Sequence, residues 1–454
     1  MANDFSKGSV RRAILMQSGP LLIAQLIQLL YNVVDRVYIG RIPGVQGAAL
    51  TGVGIVFPVI SLITAFTDWF GVGGAPLFSI ARGAGDRERA RRLLGTTAWL
   101  LLWGSILITL LGILFVQPIL YLFGASDATY PYAADYLRIY ILGTVFFMCS
   151  SGLNYFINAQ GFPKFGMMTT LLGAALNIVL DPILIFGMGW GVRGAAIATV
   201  LSQTVSAVWV FRFLLSGRAD YRLECTLIRG DRRLLREILT LGFSGFIMKA
   251  TNSLVQVVCN VQLRRFGGDL YVGIITIINS IRSIIELPLM TVTHGSQPVL
   301  AYQYGAKSFR RLRQGIAFQF LCGILYSLLV WLAVLLFPRF FVGIFTNSTE
   351  MLTHGVEAVR IYFASFIFMV GQSGSQTVFV SLGKSRRAIF FSMLRKVVIV
   401  VPLTLLLPCF MGVNGVFAAE PVSNLLGGSA AFLTMYFTVY RKLPRAEGQM
   451  EHRI

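Results

Sequence analysis

The sequence predicts an all-α protein that crosses a membrane about twelve times. Of its 454 residues, 56% are hydrophobic and 13% are charged, and the mean hydropathy is +0.72; soluble domains are less apolar. The apolar residues form runs of roughly 20 positions, the length at which a helix crosses about 30 Å of hydrocarbon. These runs are too long and too uniformly apolar for the short alternating strands of a membrane β-barrel. Helices are therefore expected, because lipid offers the backbone no hydrogen-bond partner.

The twelve predicted spans follow one another with short connections. They cover residues 14–39, 47–72, 93–117, 133–157, 166–187, 192–215, 237–262, 271–302, 315–342, 356–380, 389–411 and 413–440. The segment before span 1 has no small-residue cleavage site after a short apolar core. We therefore expect span 1 to be a true span and not a cleaved signal peptide.

The net charge of +20 is distributed unevenly between the loops. Lys and Arg cluster at residues 87–92, 218–236, 307–313, 384–387 and 441–445. By the positive-inside rule, both termini and the even-numbered loops lie in the cytoplasm. The same charge favours contact with anionic lipid headgroups. Nucleic-acid binding is not expected, since it would need a basic domain outside the membrane.

The two halves of the chain resemble one another. Three matches set 137–152 on 359–374, 191–203 on 412–424, and, more weakly, Gly85 on Gly305. The first match aligns Arg138 with Arg360, and the second aligns Thr199 with Glu420. One nearly constant offset of about 220 positions indicates a tandem duplication of a six-span unit.

The duplication predicts two six-helix lobes. We place the N-lobe at residues 1–225 and the C-lobe at 226–454, joined by a basic cytoplasmic linker. An even number of spans gives both copies the same orientation, so a pseudo-two-fold axis along the membrane normal is expected. A cavity between two such lobes suits transport by alternating access.

Asp35 is the first of several acidic residues within apolar stretches, where a charge is costly and usually functional. It lies near the far end of span 1, and Pro20 precedes it in the same span. Because proline removes a backbone hydrogen bond, it lets a helix bend, and protonation of a nearby carboxylate could shift that bend. The alternative is a structural Asp paired with Arg36 or with a neighbouring helix.

Span 5 carries Asn177 and Asp181 one helical turn apart, and Pro182 follows directly. An amide and a carboxylate on one face can share a proton or supply oxygen ligands to a small hard cation such as Na⁺. Thr199 in span 6 is a hydroxyl partner for this pair. The alternatives are a helix cap or interhelical bond for the pair, and a bond from Thr199 back to its own helix.

Four further residues are candidates for a substrate cavity. Asp68 is followed by Trp69 and Phe70, and an acid beside aromatic rings suits an organic cation. Glu286 lies four residues after Arg282, so a same-face ion pair is the favoured interpretation for it. Glu420 would be costly if unpaired, which indicates a role in coupling or in attracting substrate. Met168 represents the Met and Phe side chains that could line an adaptable apolar cavity.

An enzymatic function is not expected. The five Cys residues form no CxxC pair and are interpreted as small buried hydrophobic residues. A membrane-embedded enzyme would need clustered His, Asp or Cys, and the chain has only three His. We therefore expect no cofactor other than a coupling ion.

With these residues the chain resembles the multidrug and toxic compound extrusion (MATE) family, most closely its bacterial MepA-like branch. The resemblance covers nearly the whole chain and includes Pro20, Asp35, the Asn177/Asp181 pair, Thr199 and the run QPVLAYQYGAK at 297–307. It implies a V-shaped pair of lobes that exports lipophilic, often cationic drugs in exchange for H⁺ or Na⁺. It further implies that Asp35, Asn177, Asp181 and Thr199 form the N-lobe cation site and that span 1 bends when this site is protonated.

The C-lobe departs from the pattern of some relatives, which have a Glu in span 7 and an Asp in span 10. Here span 7 offers Lys249 and Asn252, and MVGQSGSQTVF in span 10 has no acid. A cation site is therefore predicted in the N-lobe. The protein is also expected to be a monomer. The alternative function is a lipid or lipid-linked oligosaccharide flippase of the same superfamily, whose cavity should hold several arginines for a pyrophosphate.

Overall fold

The computed structural model describes residues 3–42, 46–127, 129–346 and 348–444, and all regular secondary structure in these ranges is helical. The α-helices before the chain midpoint are α1 (Val10–Gly40), α2 (Gln46–Gly83), α3 (Arg87–Leu114), α4 (Val116–Leu122), α5 (Tyr130–Leu142), α6 (Thr144–Ala159), α7 (Pro163–Pro182) and α8 (Gly191–Leu215). Those that follow are α9 (Arg232–Gly268), α10 (Leu270–Gly305), α11 (Phe309–Leu336), α12 (Pro338–Gly343), α13 (Thr349–Phe363), α14 (Met369–Ser381), α15 (Ser385–Met393), α16 (Val401–Leu406), α17 (Pro408–Met411), α18 (Val413–Ser423) and α19 (Ser429–Thr438). The fold is all-α, as predicted.

Three spans continue through wider helical turns. Turns of π-helix follow α7 at Ile183–Gly187, join α15 to α16 at Leu394–Val400, and join α18 to α19 at Asn424–Gly428. A backbone of this kind needs other partners for its displaced hydrogen bonds, and it often occurs at functional sites. All three turns lie within a few residues of the acidic or basic side chains described below, which are Asp181, Arg395, Lys396 and Glu420.

The number of membrane spans differs slightly from the predicted twelve. In the described part of the chain, ten helices are long and apolar enough to cross a membrane, and the pair α5 and α6, bent by 55°, makes an eleventh. The predicted span at 356–380 is divided instead between α13 and α14, of 15 and 13 residues, which are joined by a 3-10 turn at Phe366–Phe368. Each piece is shorter than the roughly 20 residues that a single crossing helix needs.

The duplication is visible in the backbone. The break between α5 and α6 at Gly143 matches the break between α13 and α14 when Arg138 is aligned with Arg360. Gly191 and Gly412 both adopt positive φ angles, of 53° and 57°, as the second sequence match requires. The third match needs a correction. The residue that repeats the positive φ of Gly85 is Lys307, and not Gly305.

The chain forms two compact units. The first is built mainly on Gly19–Gly242, and the second contains Phe5–Ser18 and the chain from Phe243 onward. The boundary therefore falls after the predicted one at residue 225, and the first turns of α1 belong to the second unit. The first unit has a core around Leu93, Leu101 and Phe156, and the second around Ile278 and Phe417.

Spans 5 and 6 approach each other closely, and this approach positions the predicted cation site. A Cβ added at Gly194 would lie 2.6 Å from the carbonyl oxygen of Leu184, too close for any larger residue. In the second unit a Cβ at Gly415 would lie 2.5 Å from the carbonyl oxygen of Leu407. Small residues at such crossings let membrane helices pack backbone to backbone. Side chains of α7 and α8 can therefore meet directly.

Candidate functional site

The first unit brings together the four residues that the sequence predicts as a cation site. Asp35 comes from α1, Asn177 and Asp181 from α7, and Thr199 from α8. All four side chains are buried, with exposures of 5%, 1%, 0% and 3% in that order. A group of polar side chains so fully removed from solvent must satisfy its hydrogen bonds internally or through a bound ion.

Asn177 links the two helices of spans 5 and 6. With its amide nitrogen oriented toward the carboxylate, Nδ2 donates to Oδ2 of Asp181 at 2.9 Å, and the amide oxygen accepts from the backbone N–H of Thr199 at 3.3 Å. The Thr199 hydroxyl donates to the carbonyl oxygen of Ala195 at 3.0 Å. The Thr199 oxygen therefore keeps acceptor capacity toward the site.

Asp35 in α1 is the fourth residue of the cluster. Its carboxyl lies within hydrogen-bonding contact of the Asp181 carboxyl. The Oδ1 atom of Asp35 is buried and has no hydrogen-bond partner among the described residues. The neighbouring Arg36 guanidinium lies over the Phe57 ring, 4.6 Å from its centroid. Two touching carboxyl groups in an apolar interior repel one another when both are ionised, so the site has a physical need for a proton or a small cation.

Tyrosines that the sequence analysis did not select surround this cluster. Tyr31 lies one helical turn before Asp35, interacts with the carboxyl groups of Asp35 and Asp181, and contacts the Thr199 hydroxyl. Tyr136 interacts with Asp35 and also contacts the Thr199 hydroxyl. Tyr140 stacks on Tyr136 with ring centroids 6.0 Å apart and hydrogen-bonds to Gln203. Tyr31 and Asp35 are four residues apart, and this spacing alone places them on one face of a helix. The sequence therefore already indicated that Tyr31 lies beside the cluster.

Pro20 lies inside α1, a helix that runs without interruption from Val10 to Gly40. It directly follows the point between Ser18 and Gly19 where the chain passes from the second compact unit to the first. Proline cannot donate the backbone hydrogen bond that would hold this turn. The turn of α1 that bends most easily therefore lies where this helix passes from the second compact unit to the first.

Asp68 and Met168 are both half-buried in the first unit. The Tyr155 hydroxyl donates to Asp68 at 2.8 Å, and the Trp69 indole N–H donates to the carbonyl oxygen of Leu239 at 2.8 Å. Trp69 stacks with Phe66 and Phe70, with centroids 5.9 and 6.0 Å apart. The acid and the aromatic rings that the sequence placed together are thus held in fixed positions.

Glu286 and Glu420 lie in the second unit among basic residues. Arg282 forms an ion pair with Glu286, as their four-residue spacing predicts. Glu420 is 5% exposed and is paired with Arg395 at 2.5 Å, Lys396 at 3.2 Å and Arg282 at 3.2 Å. A carboxylate with three cationic partners is poorly placed to attract an organic cation. The sequence analysis missed Arg395 and Lys396, although two adjacent basic residues inside a predicted span were a visible signal.

No group of three His, Cys, Asp or Glu side chains suitable for a metal ion occurs in the described ranges. Any cation at the first-unit cluster would be held by two carboxyl groups, an amide and a hydroxyl. These are oxygen ligands, which suit a proton or a hard monovalent ion better than a transition metal.

Comparison with known families matches the MatE model twice, at residues 20–183 and 246–406, once in each half of the chain. The chain belongs to the MatE family. The first matched range contains Pro20, Asp35, Asn177 and Asp181. This MatE protein is a multi-pass membrane transporter.

Similar proteins cover nearly all of the chain. The multidrug export protein MepA of Staphylococcus aureus (strain N315) is 24% identical over 440 residues, which is 95% of each chain. A solved MATE structure in a bent conformation has a TM-score of 0.90 at 24% identity and covers 96% of this chain and 97% of its own. An outward-facing multidrug resistance MATE transporter has a TM-score of 0.87 at 23% identity and covers 96% and 98%. These structures establish the shared fold.

Proposed function

We propose that this MatE protein is a secondary active antiporter that exports lipophilic, often cationic compounds in exchange for H⁺ or Na⁺. One observation carries the proposal: the buried carboxyl groups of Asp35 and Asp181 lie in hydrogen-bonding contact, and one Asp35 oxygen has no partner in the described part of the chain. Such a site changes its charge when a cation arrives or leaves. Coupled transport needs a group with this property inside the membrane.

The proposed cycle uses a two-state equilibrium of the transporter. A proton or Na⁺ that enters from outside lowers the negative charge of the Asp35/Asp181 pair by one, and α1 changes its conformation at Pro20. The state with the cation bound then has the lower affinity for a cationic compound and releases it outside. A ligand can shift such an equilibrium only by its difference in affinity for the two states. The exchange therefore requires that cation and drug favour different states.

The proposed substrate class has two supports. The relatives that match over nearly the full length include proteins named for multidrug export. In this chain Trp69 stacks with Phe66 and Phe70, and the neighbouring Asp68 accepts a hydrogen bond from Tyr155. Aromatic rings and carboxylates are the groups that bind organic cations. Flexible side chains such as Met168 can adjust to compounds of different shape.

We further propose a location in the bacterial cytoplasmic membrane with both termini inside, following the distribution of basic loops. A cavity of about 340 Å³ in the second unit supports contact with anionic lipids. It is lined by Arg11, Arg310 and Arg313 together with apolar residues such as Leu321. Basic residues beside apolar surface match a lipid headgroup and the start of its chains.

The test is ethidium efflux from proteoliposomes that contain the purified protein, with a pH gradient and a Na⁺ gradient imposed separately. We expect efflux under one of the two gradients, and we expect Asp35→Asn to abolish it in folded protein. Asp220→Asn is the matched control, because Asp220 is 47% exposed and makes a weak surface pair with Arg82 at 3.5 Å. Full efflux by Asp35→Asn would refute the coupling role.

The flippase alternative is favoured by one observation, the cations Arg282, Arg395 and Lys396 buried in the second unit. They could hold a phosphate of a lipid-linked substrate. If neither gradient drives efflux while a fluorescent lipid-linked phosphate crosses the same vesicles, this alternative replaces the antiporter.

A further inference from the structure

The second unit contains a cavity of about 220 Å³ with charged walls. This volume is far larger than the ~30 Å³ that one water occupies in the liquid. Arg282, Glu286, Lys396 and Glu420 line it, together with amide side chains that include Asn252 and Asn279. Residues from predicted spans 7, 8, 10, 11 and 12 contribute to the wall. The cavity is therefore a polar chamber inside a helical bundle.

The charges around this chamber do not balance. The described cluster contains three cations, Arg282, Arg395 and Lys396, and two carboxylates, Glu286 and Glu420. Lys396 Nζ donates to both oxygens of Glu420, at 3.2 and 3.3 Å, and Arg395 donates to one of the same oxygens at 2.5 Å. The single carboxylate of Glu420 is thus paired with all three cations. A surplus positive charge in a buried site is unfavourable unless a counter-ion joins it or the lysine gives up its proton.

The chamber occupies the place in its repeat that the cation cluster occupies in the first unit. The sequence match of 137–152 on 359–374 aligns Tyr140 with Tyr362, and the match in spans 6 and 12 aligns Thr199 with Glu420. Tyr140 and Thr199 border the Asp35/Asp181 cluster. Tyr362 accepts a hydrogen bond from Arg282 at 2.7 Å in the chamber. The two sites therefore lie in corresponding regions of the repeat, but the first is built on two acids and the second has a surplus of basic groups.

We propose that this chamber binds an anion, through Lys396 and Arg282. The ligand is a carboxylate group of a small organic compound or a single inorganic anion such as chloride. Either would balance the cluster and accept hydrogen bonds from Lys396, Arg282 and the amides of Asn252 and Asn279. The duplicated units would then take ions of opposite sign.

A cation is the wrong ligand for this chamber. Each carboxylate already accepts from at least one cation, so a second positive ion would meet Arg282 and Lys396 in a site of low dielectric. The two arginines remain charged under all ordinary conditions. Removal of the lysine charge alone would leave two cations and two carboxylates, which is a balanced cluster.

The charge balance of the cluster makes Lys396 the residue to replace. Lys396→Met removes the surplus charge, keeps a side chain of similar length and leaves Arg282 and Arg395 to pair with the two carboxylates. Lys249→Met is the matched control, since Lys249 belongs to the same unit, is exposed and does not line the chamber. Thermal unfolding in detergent confirms that both variants fold. Lys396→Gln serves as the second variant if the methionine form does not.

Binding is measured by titration calorimetry on the purified full chain in chloride-free gluconate buffer, with sodium chloride and sodium benzoate as separate probes. We expect saturable binding of at least one probe to the wild type and to Lys249→Met. We expect at least about tenfold weaker binding to Lys396→Met, equivalent to about 1.4 kcal/mol.

The two probes distinguish the sources of the anion. Binding of benzoate that chloride displaces would assign the chamber to the carboxylate of an organic compound, and binding of chloride alone would assign it to an inorganic ion. No binding of either probe to the wild type, or equal binding to Lys396→Met, would overturn the proposal. The measurement needs no ion gradient or drug, so its failure leaves the proposed antiport untouched.

Discussion

Single buried charges decide most of what this chain can do, and their partners differ between the two units. Among the residues that the structure describes, Asp35 has an oxygen without a partner, whereas Glu420 is surrounded by Arg282, Arg395 and Lys396. An incompletely satisfied carboxyl can change its proton or ion occupancy at low cost. A carboxylate fixed by three cations loses too much attraction when it is protonated. In the proposed antiport, the same residue class therefore serves exchange in one unit and structure in the other.

This difference predicts the effect of Glu420→Gln. The change leaves three cations of the second unit with Glu286 as the remaining carboxylate, so we expect the free energy of unfolding to fall by about 3–5 kcal/mol. Thermal unfolding of the purified protein measures this loss. The control is Glu224→Gln, whose partner Arg91 lies 3.4 Å away at an exposed position and whose loss should cost about 0–1 kcal/mol. Equal stability of the two variants would contradict the structural role of Glu420.

At the scale of the element, α1 passes from the second compact unit to the first, as α9 passes from the first to the second. The first turns of α1 belong to the second unit and the remainder to the first, and Pro20 follows the change directly. The missing backbone hydrogen bond makes this turn the easiest to bend. Because Asp35 lies on the same helix, a change at the cation cluster can act on the bend through a continuous backbone.

Replacement of Pro20 by Ala should therefore slow transport without loss of the cation site. Alanine restores the hydrogen bond and favours the unbent helix. A bias of about 1.4 kcal/mol changes the equilibrium between two helix conformations tenfold. We expect about tenfold slower ethidium efflux in proteoliposomes, with unchanged thermal stability or a small increase. Pro118→Ala is the control, because Pro118 is exposed in the first turn of α4, where a missing N–H costs little. Unchanged efflux by Pro20→Ala would remove the hinge from the mechanism.

At the scale of the whole molecule, the duplicated halves are not independent pieces. Phe5, Val10 and Ile14 are fully or almost fully buried and pack with Val299 in a core of the second unit. Arg311 donates to the carbonyl oxygens of Phe5, Lys7 and Gly8 in the same segment. The second unit thus contains a segment from the opposite end of the chain.

We therefore predict that residues 226–454 expressed alone are unstable. Without Phe5–Ser18, the surface around Val299 is exposed, and each large apolar side chain left unburied forfeits about 1.5–3 kcal/mol. Size-exclusion chromatography and thermal unfolding in detergent measure the outcome. Co-expression with residues 1–225 supplies the missing segment and should restore a monodisperse protein. A C-terminal half that is stable by itself would show that the segment is dispensable.

The sequence alone determined the membrane location, the helical class, the duplication and the four polar residues that meet in the first unit. These properties depend on local composition and on short spacings, such as the single turn between Asn177 and Asp181. The tertiary structure decided which side chains the buried charged residues pair with. Arg395 and Lys396 are far in sequence from Arg282, and only helix packing brings them to one carboxylate, Glu420. The broken span at 356–380 and the exchanged segment Phe5–Ser18 depend likewise on contacts between distant residues. Hydropathy records how much a residue favours lipid, whereas its role depends on which other helix lies against it.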